Sequence, residues 1–187
     1  MQLSQIRKRE IQRIANEFLD ENKSQADVFD TAKALGFKIA SFDPKIGKNK
    51  HKDGLIIVNQ GNNKINTLPQ KLIATNESLD YADTAFTVAH ELGHYRLHYD
   101  PDFPYVHISW KTNGQEKPQE EREADFFAAC VVMPEDATKA EIRSFESEKG
   151  SVLEDQRLLV QLCLHLSKVF KVSGECAAKR YYEVVGC

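Results

Sequence analysis

The sequence predicts an α+β fold, a small and mostly antiparallel sheet flanked by helices, with a helical C-terminal tail. Three observations predict it. The 187 residues are 41% hydrophobic, enough for one compact core. Helical periodicity dominates both ends of the chain. Between Phe37 and Thr75 the apolar period drops to two, the repeat of a half-buried strand.

In the first segment Ile11, Ile14, Ala15, Phe18 and Leu19 fall on one helical face. A second helix is expected to begin after Ser24, whose spacing to Asp27 is a capping pattern, and to stop at Gly36. Phe37, Ile39 and Ser41 alternate with Lys38 and Ala40 as in a strand. Gly54 to Asn59 and Leu72 to Thr75 read as further strands, with a turn at Gly61-Asn62-Asn63 and a short run around Ile65. Residues 44–52 form a basic loop.

Helical reading resumes from Asp80 to about His98. Residues 99–117, with Pro101, Pro104, Asn113 and Gly114, read as a loop. Another helix follows Pro118 and must close at Met133-Pro134, because proline cannot continue it. The tail reads as a helix from about Leu153 to Phe170, a break at Val172-Ser173-Gly174, and a last helix from Glu175 to about Val184. This divides the chain into a core over 1–135 and a helical segment over 136–187 packed on it.

Composition narrows the function classes. With 25 basic against 28 acidic side chains the net charge is −3, which argues against coating nucleic acid with positive charge. No run approaches the roughly 20 apolar residues of a membrane span. The N-terminus alternates charged and apolar residues and does not read as a secretory signal. Cys130, Cys163, Cys176 and Cys187 form no CxxC pair and read as buried or free thiols in a reducing compartment. A cytoplasmic globular protein is expected.

The chemistry concentrates in Phe86-Thr87-Val88-Ala89-His90-Glu91-Leu92-Gly93-His94. Histidines at i and i+4 stack on one helix face about 6 Å apart, so both imidazoles reach one ion. Glu91 lies beside that ion without being forced to bind it, placed to take a proton from the attacking water. Phe86, Val88, Ala89 and Leu92 supply an apolar back to the helix. Glycine at 93 costs about 1 kcal/mol in a helix interior, a sign of close approach by another backbone.

A catalytic zinc needs a third protein ligand. His98 lies two turns from His90, about 12 Å along the axis, too far to converge with both histidines. The helix after Pro118 offers a carboxylate instead: Glu121, Asp125, Ala128 and Val132 share one stripe of a segment that is otherwise Phe- and Ala-rich. Acids on the inner stripe of a buried helix need a cation. The expected ligands of one Zn2+ per chain are therefore His90, His94 and Glu121, a gluzincin-like zinc site. Asp125, one turn on, is expected to accept the outer N–H of a ligand histidine. Oxyanion stabilisation falls to His98, His107, Tyr95 or Tyr105, among which the sequence does not choose.

The segments Phe86–His94 (FTVAHELGH) and Glu121–Pro134 (EREADFFAACVVMP) resemble the ImmA/IrrE family of HExxH metallopeptidases. Its pattern is an acid, two residues, Ala, then Asn or Asp, followed by Phe-Ala-Ala and a hydrophobic-Met-Pro end. The likeness extends more weakly to ALGFKIA and to the tail. Here Cys130-Val131-Val132 replaces a more usual leucine-rich ending, a change in packing rather than chemistry. The resemblance implies a cytoplasmic zinc protease with Glu91 as catalytic base, whose protein substrate is a helix-turn-helix transcriptional repressor. Some members carry an N-terminal DNA-binding domain. This chain has no room for one before Phe37, so action in trans is expected.

A rival reading is a repressor-docking or DNA-binding regulatory module that binds metal without turnover. The broken tail, with Lys168, Lys171, Lys179 and Arg180, resembles half of a helix-turn-helix. A helical hairpin packed on the core explains the same pattern, and direct nucleic-acid binding is not expected.

Overall fold

A computed structural model describes residues 3–46, 52–59, 70–110, 116–153 and 155–186. The expected turn at 61–63, the run around Ile65 and residues 47–51 of the basic loop lie outside them.

Helix α1 (Gln5–Glu21) is capped by Ser4 Oγ, which accepts the Arg7 N–H, and buries Ile11, Ala15 and Phe18. Helix α2 (Val28–Ala34) starts later than the Ser24 pattern predicts. Asp27 is the cap, its Oδ1 accepting the N–H groups of Phe29 and Asp30 at 2.9 Å each. An aspartate directly before the first apolar residue of the helix satisfies two orphan donors, which leaves Ser24 outside.

The sheet has the order β1-β3-β2-β4. Strand β1 (Lys38–Phe42) runs parallel to β3 (Lys71–Asn76), while β2 (Lys52–Val58) is antiparallel to both β3 and β4 (Tyr105–Trp110). Two of the three pairings are antiparallel, in line with the expected fold class. Strand β4 corrects the reading of residues 99–117 as loop. The prolines do end α3 and turn the chain, but Tyr-Val-His-Ile-Ser-Trp then alternates as a strand. Its inward face is polar, so it lacks the apolar alternation that marks an ordinary half-buried strand.

Register decides what that face does. Gly54 pairs with Ser109, Ile56 with His107 and Val58 with Tyr105. Directly opposed residues share a face, and Gly54, Ile56 and Val58 are the buried positions of β2. Tyr105, His107 and Ser109 therefore point toward the helices, and exposed Val106 points away.

Helix α3 (Tyr81–His98) packs on this face. Helix α4 (Gln119–Val132) lies along α3 and ends at Met133-Pro134. A first core joins α1 to α4 and the sheet through Ile11, Phe18, Ile56, Ile73, Leu92 and Phe127. A second forms around Met133, Ile142, Leu162, Leu166 and Tyr181. It unites α5 (Glu135–Lys149), α6 (Gln156–Phe170) and α7 (Gly174–Val185).

Helix α5 is an element the periodicity does not announce. It is strongly charged and buries few residues, among them Thr138 and Ile142. In the tail, Arg180 is 1% exposed and donates to the Met133 carbonyl and to Gln12. It is a buried strut that ties α7 to α1 and to the end of α4. Lys179 pairs with Glu175. Among the described residues, no helix is long and apolar enough to cross a membrane.

Candidate metal centre

Thr87 to His94 is buried without interruption, so α3 carries two histidines and a glutamate through the middle of the core. Gly93 makes this possible. A Cβ there would sit 3.1 Å from Phe127 Cδ1 and 3.2 Å from the Ala124 Cα. With hydrogen alone, the α4 backbone closes on α3. Glu121, one turn before Ala124, is thereby delivered to the histidine face.

Three ligand atoms converge there. His90 Nε2 and His94 Nε2 are 3.1 Å apart. Glu121 Oε2 lies 3.5 Å from His90 Nε2, and Oε1 lies 3.3 Å from His94 Nε2. A tetrahedral zinc with donors at about 2.0–2.1 Å spaces its ligands roughly 3.3 Å apart. The donor set fits such an ion as it stands, and all three residues are buried.

The electrostatics favour a cation at this point. Burial works against charge on His90, yet hydrogen bonds with Asp125 and Glu121 raise its pKa to about 9. Burial likewise opposes charge on Glu121, but bonds with His107, His90 and His94 hold its carboxyl far below the usual carboxylate range. Burial brings His94 down to about 4, so at neutral pH its imidazole is neutral and a lone pair is available.

Each histidine is oriented from behind. Asp125 Oδ1 accepts the His90 Nδ1–H at 3.0 Å, and its other oxygen takes Lys117 Nζ at 2.7 Å. These bonds outweigh burial and keep the Asp125 carboxyl low. His94 Nδ1 meets His98 Nδ1 at 3.2 Å. His98 thus sits behind His94. Tyr95 turns elsewhere, its hydroxyl bonded to Lys71 Nζ at 3.0 Å and its ring edge-on to Phe37. Strand β4 brings the other two candidates in. His107 stacks on His94 with ring centroids 3.7 Å apart and donates to Glu121 Oε1 at 2.9 Å. The Tyr105 ring stacks on His107.

Glu91 is fully buried. Its Oε1 accepts the Ser109 hydroxyl at 2.7 Å, and its Oε2 has no partner. Burial pushes the carboxyl up to about 7. Tyr105 Oη and His107 Nδ1 are also buried without partners. Unsatisfied buried groups gathered at one site ask for a ligand or water. Gly54 leaves room for the Glu91 carboxylate, since a Cβ there would fall 2.6 Å from Oε1.

Sequence reasoning missed Ser109, Gly54, Lys117, Glu123 and Arg7. The signal for Ser109 was the i, i+2, i+4 spacing of Tyr105, His107 and Ser109, which puts three polar side chains on one strand face. Arg7 carries no local signal, because its partner Glu123 is distant in sequence, and Lys117 precedes the helix that carries its partner Asp125, outside any helical spacing.

A family model described as the IrrE N-terminal-like domain of peptidase family M78 matches residues 32–182, a stretch that starts after α1 and includes both motif helices. No curated protein matches the chain. With the matched stretch covering most of its length, the chain belongs to the M78 peptidases, the ImmA/IrrE family of metallopeptidases.

Proposed function

We propose that this protein is a zinc-dependent endopeptidase that hydrolyses a peptide bond in a protein partner. The observation that carries the reading is Glu91, a fully buried carboxylate with one oxygen held by Ser109 and the other unpartnered, directly after His90 in α3. A purely structural site has no use for such a group.

His90, His94 and Glu121 would hold the zinc. A zinc held there would supply Lewis acidity toward water and the scissile carbonyl. Glu91 takes the proton of the attacking water at Oε2 and passes it to the leaving amine, while Ser109 keeps the carboxylate in place. His107 and Tyr105 reach the site from β4 and are the candidates to stabilise the oxyanion. Among the described residues, strand β4 is also a sheet edge. An extended substrate pairing there would be recognised through its backbone, with side-chain pockets adding selectivity.

The catalytic unit in this reading is residues 1–135, with 136–187 packed on it. The family resemblance supports a cytoplasmic role and a helix-turn-helix transcriptional repressor as substrate, cut in trans as regulatory proteolysis. The test is to incubate the zinc-loaded protein with helix-turn-helix repressors of its own genome, with and without 1,10-phenanthroline. Cleavage that the chelator stops and added zinc restores is expected. Tight repressor binding without any cut would favour the docking module instead. A steeply salt-dependent duplex shift would favour the DNA-binding version of it.

A further inference from the structure

Behind His94 a second chain of contacts runs away from the metal centre. His94 Nδ1 faces His98 Nδ1 at 3.2 Å, and His98 Nε2 faces Glu123 Oε2 at 3.2 Å. The same Glu123 oxygen takes the Arg7 guanidinium, and Oε1 takes Gln119 Nε2 at 2.8 Å. Glu123 is 3% exposed. Arg7 belongs to α1, which precedes the stretch that the family model matches.

One end of this chain has a fixed direction. A carboxylate only accepts, so His98 Nε2 must carry its hydrogen toward Glu123. With that single ring proton turned to Glu123, His98 Nδ1 is the acceptor facing His94 Nδ1 at 3.2 Å, and the relay assigns the His94 proton to Nδ1. That leaves the lone pair of His94 on Nε2, the atom that faces His90 and Glu121. The same logic serves His90 through Asp125 in one step. For His94 it takes two steps and an arginine.

We infer that His98, Glu123 and Arg7 form a positioning relay that fixes the tautomer and ring angle of His94, so that helix α1 holds the metal centre from behind. The relay rests on the reading of His94 as a zinc ligand. Partners that orient ligand histidines are worth about 10- to 100-fold in metal affinity, and an Arg–carboxylate anchor is stronger than a neutral one. Without Arg7, Glu123 keeps its place in the fold but loses the charge that holds it against His98.

Three variants test it. His98→Phe keeps a ring and removes both nitrogens. Glu123→Gln keeps the shape but offers one acceptor oxygen to three donors. Arg7→Ala cuts the anchor on a helix surface, with Arg7→Lys as its conservative rescue and Arg13→Ala, on the same helix and paired with Glu17, as the control. Zinc affinity by chelator competition at pH 7 is expected to fall about 10- to 100-fold in His98→Phe and Glu123→Gln. It should fall less in Arg7→Ala, recover in part in Arg7→Lys and stay at the wild-type value in Arg13→Ala.

Side-chain 15N spectra of the metal-free protein supply a readout that a merely structural ion pair would not move. The wild type should show His94 protonated at Nδ1, and Glu123→Gln and His98→Phe should shift it toward Nε2. An unchanged tautomer, with zinc affinity within about twofold of wild type in both variants, would overturn the relay. A wild type that binds no zinc would instead sink the proposed function, and the tautomer of the metal-free protein would still decide the relay.

Discussion

Glu91→Gln is expected to lower kcat/KM by roughly 10²- to 10⁴-fold, the usual worth of a general base, while leaving one zinc bound. Glutamine fills the same space and can still accept the Ser109 hydroxyl, so the loss isolates proton transfer from packing. A second consequence follows from burial. The Glu91 carboxyl is raised to about 7 from an ordinary 4.5 because its charge is desolvated. A raised acid means that the folded state binds the proton more tightly than the unfolded state. Metal-free wild type should therefore lose stability as pH climbs from about 4.5 to about 7, by on the order of 3 kcal/mol. Glu91→Gln removes the ionisable group and should flatten that slope, so that the variant melts higher at pH 8. Melting curves of chelator-treated protein between pH 5 and 8 check this. Retained cleavage in the variant would move the base to another residue.

Gly54→Ala is the second large effect. The new Cβ would lie 2.6 Å from Glu91 Oε1 and 2.6 Å from Thr87 Cγ2. Thr87 is a β-branched side chain on a helix and is stiff, so the carboxylate or strand β2 must give. Displacing the base by a fraction of an ångström to an ångström costs up to about 10² in rate. Overpacking at a closed interface costs about 1–3 kcal/mol. Zinc affinity should be nearly unchanged, since the atoms nearest the new Cβ belong to Glu91 and Thr87 rather than to His90, His94 or Glu121. The signature is thus a fall in kcat with zinc retained, read by steady-state kinetics beside metal content. Full activity in Gly54→Ala would mean that β2 does not close on Glu91 as described.

These variants also show what a sequence can reveal. Helices α3 and α4 were legible because local rules govern them: an i, i+4 histidine pair, a glycine that only close packing explains, and a proline that ends α4. The β1 to β3 strands follow from period-two alternation. Strand β4 was missed because of its polar inner face. Its inner face carries Tyr105, His107 and Ser109, so polar groups facing α3 replace the apolar pattern that marks a buried strand face. Helix α5 was missed because its few buried residues leave little periodic signal. Ser24 and Asp27 are both good caps, and the choice between them depends on which residue stands next to the first buried turn.

The long-range parts of the site were beyond local reading. Glu123 looks like a dipole-favoured acid near a helix start, and only the fold shows it buried between His98 and Arg7. His98 has the spacing of a ligand helix face but lies too far along α3 to share an ion with both His90 and His94. Its contact with His94 Nδ1 depends on ring orientation, which sequence does not encode. Arg7 stands 116 residues from its partner.

The measurement that bears most directly on the central claim is elemental metal analysis of the untagged protein beside Glu121→Ala, each stripped with chelator and reloaded with zinc. About one zinc per chain in the wild type, lost or greatly weakened in the variant, is the result the His90, His94 and Glu121 site predicts. A wild type that takes up no zinc, or a Glu121→Ala protein that holds it as tightly, would contradict that site.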